Sequence, residues 1–130
     1  MNTSELDVVT GWDDCPCGGR TLDKLIHPAI LVVLAAGPLH GYRLVERLSE
    51  LPMFGGQKPD ASGVYRALKT MEAKNLMASA WTPSDAGPAK RSYRLTPAGA
   101  RCLREWITTL EEYRAGITVL LKAARKAVAG

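Results

Sequence analysis

Four basic residues lie in the second half of the chain at spacings that suit contact with a polyanion. Arg66 and Lys69 are three residues apart, so a helix would carry them on one face. Lys90 and Arg91 follow after a segment rich in turn residues. An arginine can donate two hydrogen bonds to a guanine edge, and a lysine can neutralise a phosphate. No nucleophile–base pair, phosphate-binding loop or HExxH-type spacing is present, so the pattern predicts nucleic-acid binding and not an enzyme.

Hydrophobic periodicity predicts the helix that would position Arg66 and Lys69. This helix is expected to open at Asp60 or Ser62, either of which can cap it, and to last to about Lys74. Its core-facing residues are Val64, Ala67, Leu68 and Met71. Its exposed residues are Ser62, Tyr65, Arg66 and Lys69. The exposed set lacks the alternating charges of a helix face that is merely solvated.

Two strands and a long helix are expected to follow. The strands cover residues 76–81 and 91–95, on either side of the turn-rich segment. Thr96 and Pro97 provide a cap and a first-turn proline for the last helix. Its apolar stripe continues to Ala124, several turns beyond any cover within the chain, and an exposed stripe of this size usually marks an interface. The sequence therefore predicts a homodimer paired through this helix.

The first half of the chain reads as two shorter helices. The first ends near Leu34, and Pro28 within its pattern leaves two alternatives. Either the helix is capped by Thr21 and kinked at the proline, or it starts near His27 with the proline in its first turn. A second helix is expected over residues 40–50.

Length and composition bound the class of protein. The chain has 130 residues, 46% of them hydrophobic and 23% charged, which suits one compact domain. No apolar run approaches the ~20 residues needed to cross a bilayer. No secretion signal opens the chain. A cytoplasmic location without a membrane partner is therefore expected. The net charge is +4, but residues 1–20 carry −3 and the remainder +7, and a basic body suits a polyanionic partner.

Three segments, in this order, resemble the PadR family of bacterial transcription regulators. They are ILVVLAAGPLHGYRLVERL (30–48), SGVYRALKTMEAKNLM (62–77) and KRSYRLTPAG (90–99). The short tail is similar to the subgroup with a single C-terminal helix. The expected fold class is mainly α with a small β-hairpin, a winged helix-turn-helix plus a C-terminal dimerisation helix. The chain divides accordingly into a loosely ordered acidic arm (1–20), the DNA-binding domain (21–95) and the dimerisation helix (96–130).

The resemblance implies a homodimer, usually a repressor, that binds double-stranded DNA at a pseudo-palindromic operator and releases it when an effector arrives. By position, it assigns DNA contacts to Tyr42, Ser62, Tyr65, Arg66, Lys69, Lys90 and Arg91. Tyr42 falls on the second helix, where family members can touch the DNA backbone, and Lys90 and Arg91 fall on the wing. Asn75 stands where a glycine commonly ends the recognition helix, but asparagine tolerates the same left-handed conformation.

The arm carries Cys15 and Cys17, which the resemblance does not explain. Two thiols one residue apart cannot easily close into a disulfide, but they could supply two soft ligands to a metal. The dimer mate, His27 or Cys102 could complete such a set, and a cysteine before proline also fits a haem-responsive motif. A redox role, or a flexible arm whose thiols happen to be near each other, are the alternatives. No other feature requires a cofactor.

Aromatic residues suggest a place for an effector. Trp106 and Leu110 on the last helix, with Trp81, could line a cleft at the dimer interface. Packing in the core or interface is the alternative. Two other functions also stay open: a metal, haem or redox sensor centred on the arm, and a protein-interaction module that kept the fold and lost DNA binding.

Overall fold

The computed structural model describes residues 25–52, 60–83, 87 and 89–130. Within these ranges the helices are α1 (Ile26–Ala35), α2 (Gly41–Ser49), α3 (Ala61–Ala73) and α4 (Pro97–Ala129). The strands are β1 (Leu39–His40), β2 (Met77–Thr82) and β3 (Lys90–Leu95). This order, three short helices, a hairpin and a long helix, confirms the predicted fold class.

Helix α1 resolves the alternatives that Pro28 left open. The helix begins at Ile26, so the proline lies in the first turn, where its missing N–H costs no hydrogen bond. Thr21 lies outside the described residues. The same holds for the arm with Cys15 and Cys17, for the loop at 53–59 and for most of the turn between β2 and β3.

Both ends of α3 are fixed by hydrogen bonds that the local sequence supplies. The Asp60 carboxylate accepts a hydrogen bond from the Gly63 N–H at 3.1 Å, so Asp60 and not Ser62 is the cap. At the other end Asn75 has a φ of +62°, as predicted, and the Leu76 N–H donates to the Met71 carbonyl at 3.0 Å. This is a Schellman ending, which stops α3 where the wing begins.

The sheet has three antiparallel strands in the order β1-β3-β2. Tyr93 in β3 pairs with Ser79 in β2 and with Leu39 in β1. The sequence predicted only the β2–β3 hairpin. Strand β1 was missed because its two residues are too few to show the alternation by which a strand is recognised.

A single hydrophobic cluster joins the helices to one face of the sheet. Its largest fully buried side chains are Ile30, Leu31, Leu34, Leu44, Leu48, Val64, Leu68, Met71 and Met77. The predicted core face of α3 is therefore confirmed. Because the inner side of α3 is anchored in this core, its outer side has a fixed orientation.

Helix α4 starts inside the domain and then leaves it. The Thr96 hydroxyl accepts a hydrogen bond from the Gly99 N–H at 3.0 Å and donates one to the Asn75 carbonyl at 2.7 Å. Gly99 is buried against the Leu76 carbonyl, where a Cβ would overlap. The helix has 33 residues, a length of about 50 Å, and residues 111–129 are exposed.

Gly99→Ala should destabilise the fold, because the new methyl group would push α4 away from the end of α3. We expect a loss of about 1–3 kcal/mol in the free energy of unfolding, measured in urea. Gly116→Ala in the same helix is the matched control, since nothing lies within 4 Å of a Cβ there. The control should gain up to about 1 kcal/mol in helix propensity. Equal stabilities for the wild type and Gly99→Ala would contradict the close approach.

Candidate nucleic-acid interface

The outer face of α3 presents the residues that the sequence predicted to be exposed. Ser62, Tyr65, Arg66 and Lys69 are all exposed. Among the described residues only Arg43 and Arg91 pair with a carboxylate, so the charges of Arg66 and Lys69 are not neutralised by an acid of that part of the chain. A helix face of this kind can offer two cations and hydrogen-bond donors to an anion.

Tyr65 connects this face to the start of α2. Its ring lies against Gly41, where an added Cβ would be 2.7 Å from the phenol oxygen. The side chain is nevertheless 44% exposed. The outer edge of the ring, with its hydroxyl, therefore packs against α2, while other parts of the side chain are accessible at the surface.

Strand alternation separates two wing cations that the sequence places side by side. Lys90 and Arg91 are consecutive in β3, so their side chains project from opposite faces of the sheet. Arg91 shares its face with the buried Tyr93, and Lys90 lies on the other face. The two cations therefore have different surroundings.

Lys90 lies beside α2. Its ammonium is 5.1 Å from the centre of the Tyr42 ring, a cation–π contact. The Tyr42 ring is nearly parallel to that of His40, with the ring centres 6.1 Å apart. Tyr42 is 48% exposed. His40, Tyr42 and Lys90 therefore make up a second cationic and aromatic surface, between the β2–β3 hairpin and α2.

Arg91 instead turns toward α3. Its Nη2 donates to Glu72 Oε1 at 2.9 Å, and its Nε donates to Ser79 Oγ at 2.9 Å. The Ser79 hydroxyl in turn donates to Glu72 Oε2 at 2.6 Å. We call these three side chains the Glu72 clamp. The sequence reasoning missed Glu72 and Ser79, because no local pattern reports a contact between residues 19 positions apart.

The predicted effector residues lie in separate places within the chain. Trp106 lines a cavity of about 350 Å³ between α1, α3 and α4. Trp81 is on the wing, 66% exposed, with the Arg91 guanidinium 5.9 Å from its ring centre. Leu110 is half-buried farther along α4 and does not line this cavity. Their meeting at a dimer interface stays a prediction.

Cys15 and Cys17 lie outside the described residues, so their role as metal ligands also stays a prediction. Cys102, a residue considered as a further ligand, is a free, half-buried thiol that lines the same cavity as His27. The described part of the chain contains no cluster of three metal-ligating side chains. It also contains no helix with the length and apolar content needed to span a membrane.

Comparison with known proteins gives a consistent result. The model of the transcriptional regulator PadR-like family matches residues 30–105, more than half of the chain. The structure is similar to that of TA0346 from Thermoplasma acidophilum, a proposed transcriptional regulator, with 32% identity and a TM-score of 0.69. That match covers 79% of this chain and 96% of the other. No curated protein sequence matches the chain.

Two further structures are similar over different lengths. One is Bacillus subtilis PadR in complex with operator DNA, with 25% identity and a TM-score of 0.57, covering 64% of this chain and 46% of that one. The other is a PadR family transcriptional regulator from Eggerthella lenta, with 24% identity and a TM-score of 0.64, covering 92% and 97%. At 24% identity the second match supports the fold alone.

The surroundings of His27 predict a dependence of stability on pH. Burial, and then the positive charge of Lys74, lower the pKa of His27 below its ordinary value of 6.5. As the pH falls below this value, the unfolded chain takes up a proton more readily than the folded chain, so stability is lost. Between about pH 7 and pH 5, the free energy of unfolding should fall more for the wild type than for His27→Gln.

The matched test of the cause is Lys74→Gln, followed by NMR titration of the His27 ring. The pKa should rise toward 6.5 but stay below it, since burial is the larger cause. Parallel stability curves for the wild type and His27→Gln would show that His27 has the same pKa in the folded and unfolded states.

Proposed function

Because this chain belongs to the transcriptional regulator PadR-like family, we propose that it acts as a homodimer that binds a pseudo-palindromic operator and represses transcription in the cytoplasm. An effector would release the homodimer from the operator. The chain is a DNA-binding transcriptional regulator and not an enzyme. Its recognition helix is α3, and its wing is the β2–β3 hairpin.

The observation that carries this proposal is the exposed outer face of α3. Arg66 and Lys69 lie there without an acidic partner among the described residues, while the inner face is anchored in the core. A helix held in this way can enter a major groove with its cations in fixed positions. Arg66 would donate two hydrogen bonds to a guanine edge, and Lys69 would neutralise a phosphate.

Lys90 and Tyr42 would supply contacts to the DNA backbone next to this groove. They form one exposed group, 5.1 Å apart from ammonium to ring centre. A lysine held against a neighbouring ring has lost part of its side-chain freedom already, so less order is lost when it meets a phosphate. Such contacts contribute affinity without reading the sequence.

The exposed half of α4 supports the homodimer. Its side chains include an apolar set whose spacing of three and four residues would form a seam between two helices. The set starts at the half-buried Leu110 and continues with Tyr113, Ile117, Leu120 and Ala124. Tyr113, Ile117 and Leu120 are each more than half exposed in the single chain. Pairing with a second copy would bury them and would hold two recognition helices at a fixed separation, as a pseudo-palindromic site requires.

Release by an effector is supported by the cavity that Trp106 lines. The cavity wall includes Met71 from α3, Lys74 directly after it and His27 from α1. A small molecule bound there would contact the recognition helix and the dimerisation helix together. It could therefore change the angle between the two DNA-binding heads, which must meet their half-sites at the same time.

Duplexes selected from a random pool, followed by fluorescence anisotropy over a range of salt concentrations, test the DNA-binding residues. Arg66→Ala should weaken binding to the selected sequence by about 1–3 kcal/mol and relax specificity at one position. Lys90→Ala should weaken binding to all duplexes and reduce the salt slope by about 1. The proposal is wrong if the wild type selects no sequence, or if Arg66→Ala binds the selected duplex as tightly as the wild type does.

Ile117→Glu tests the dimer. It should raise the dissociation constant of the dimer at least about tenfold, because a carboxylate would be buried in the apolar seam. Val119→Glu is the matched control, since Val119 is 70% exposed and lies about 200° around the helix from Ile117. Sedimentation velocity over a range of concentrations distinguishes them. Equal dissociation constants for both variants would place the interface elsewhere.

A further inference from the structure

We propose that Arg91 supports DNA binding as a positioning residue, by fixing the wing to the recognition helix through Glu72 and Ser79. This inference rests on the proposed function and assigns Arg91 a role other than a phosphate contact. It also adds Glu72 and Ser79 to the residues on which DNA binding depends, although neither would touch DNA.

The Glu72 clamp is a closed ring of three hydrogen bonds between three elements. Glu72 is in α3, Ser79 in β2 and Arg91 in β3, with distances of 2.6, 2.9 and 2.9 Å. Each carboxylate oxygen has its own donor, and the serine hydroxyl both accepts and donates. All three side chains must hold their places for the ring to close, which specifies one position of the hairpin relative to the helix.

Aromatic rings further restrict the guanidinium. Its central carbon is 5.9 Å from the centre of the Trp81 ring and 5.6 Å from that of Tyr93. The guanidinium is planar, lies over these rings and donates hydrogen bonds from both Nε and Nη2. Its orientation as well as its position is therefore restricted. The side chain is 43% exposed, so the clamp lies at the surface, and the Arg91 Nε and Nη2 already have partners within the chain.

Charge also favours positioning over a phosphate contact. The Arg91 charge is matched by Glu72, whose side chain is 29% exposed. If Arg91 moved to a phosphate, it would lose both of its hydrogen bonds and would leave the Glu72 carboxylate uncompensated near another anion. Lys90 and Arg66 face no such cost, because neither is paired with an acid of the described residues.

The location of the clamp explains why the wing needs it. The hairpin is tied to α3 at its base by the Schellman turn at Asn75 and Leu76, but its outer end has no covalent tie to the helix. Arg91 pairs with Trp81, next to the outermost pair of the ladder between Thr82 and Lys90. The clamp is thus a second point of attachment to α3 near the outer end, beside the pairing of β3 with β1 at Ser92 and His40. By fixing β3 there, it holds the strand that carries the adjacent Lys90, whose side chain lies on the opposite face of the sheet.

The test compares variants by the salt dependence of their affinity for the duplex selected by the wild type. Arg91→Ala, Arg91→Lys, Glu72→Gln and Ser79→Ala should each weaken binding about threefold to tenfold with an unchanged salt slope. Arg91→Lys keeps the charge but not the fork, so it should not restore binding. Lys90→Ala provides the reference for a true phosphate contact, with a slope lower by about 1.

Glu46→Gln is the matched control for Glu72→Gln. Glu46 forms an exposed ion pair with Arg43 on α2, 3.3 Å apart, and is not part of the clamp. Removing either acid lowers the negative charge by one, so a charge effect alone would strengthen DNA binding in both variants. Weaker binding by Glu72→Gln, with Glu46→Gln equal to or tighter than the wild type, supports the clamp. A reduced slope for Arg91→Ala, or tighter binding by Glu72→Gln, overturns it.

Hydrogen exchange of the free protein separates failure of this inference from failure of the proposed function. Amides of β2 and β3 should exchange faster in Ser79→Ala and Glu72→Gln than in Glu46→Gln, because the outer end of the hairpin loses its attachment. If the wild type selected no duplex, the proposed function would fail, and exchange would still decide whether the clamp holds the wing. Unchanged exchange in the clamp variants would overturn the inference.

Discussion

The main-chain carbonyls of Asn75 and Leu76 join α3, the β2–β3 hairpin and α4 at one point. The Asn75 carbonyl accepts the Thr96 hydroxyl at 2.7 Å, and the Leu76 carbonyl accepts the Thr96 N–H at 3.2 Å. Gly99 then allows α4 to pass directly over Leu76. Since β2 starts just after this turn and β3 ends just before Thr96, the base of the hairpin is fixed by the same bonds. The three elements therefore keep a constant relation, on which the joint contact with DNA that we propose would depend.

Charge is distributed over this frame according to element geometry. Helix α3 turns Arg66 and Lys69 outward because its period puts Val64, Leu68 and Met71 in the core. Strand β3 sends consecutive cations to opposite faces because its period is two. Arg91 is thereby matched with Glu72, and Lys90 is left beside Tyr42. The helix period thus turns Arg66 and Lys69 outward, and the strand period does the same for Lys90. None of the three has an acidic partner within the described residues.

Local signals in the sequence predict most of the fold and only part of the site. The caps at Asp60 and Thr96 and the left-handed Asn75 can be read from a few neighbouring residues, and the structure has them. Strand β1 and the Glu72 clamp are products of the tertiary fold. The two residues of β1 are too few to show a periodicity, and the bond between Glu72 and Arg91 joins residues 19 positions apart. The exposed face of α3 was predictable because one element defines it, whereas the separate surroundings of Lys90 and Arg91 depend on which helix each sheet face meets.

The last turns of α3 link two surfaces that would otherwise act separately. Glu72 points from there to the wing, while Met71 and Lys74 line the cavity beside α1 and α4. The helix between these surfaces is capped at both ends and packed along its inner face. A molecule bound in the cavity would therefore contact Met71, the neighbour of Glu72, on the helix that carries Arg66 and Lys69. Within the proposed function, the last turn of α3 would thus be the shortest connection between a bound effector and the wing, because one helix contributes to both surfaces.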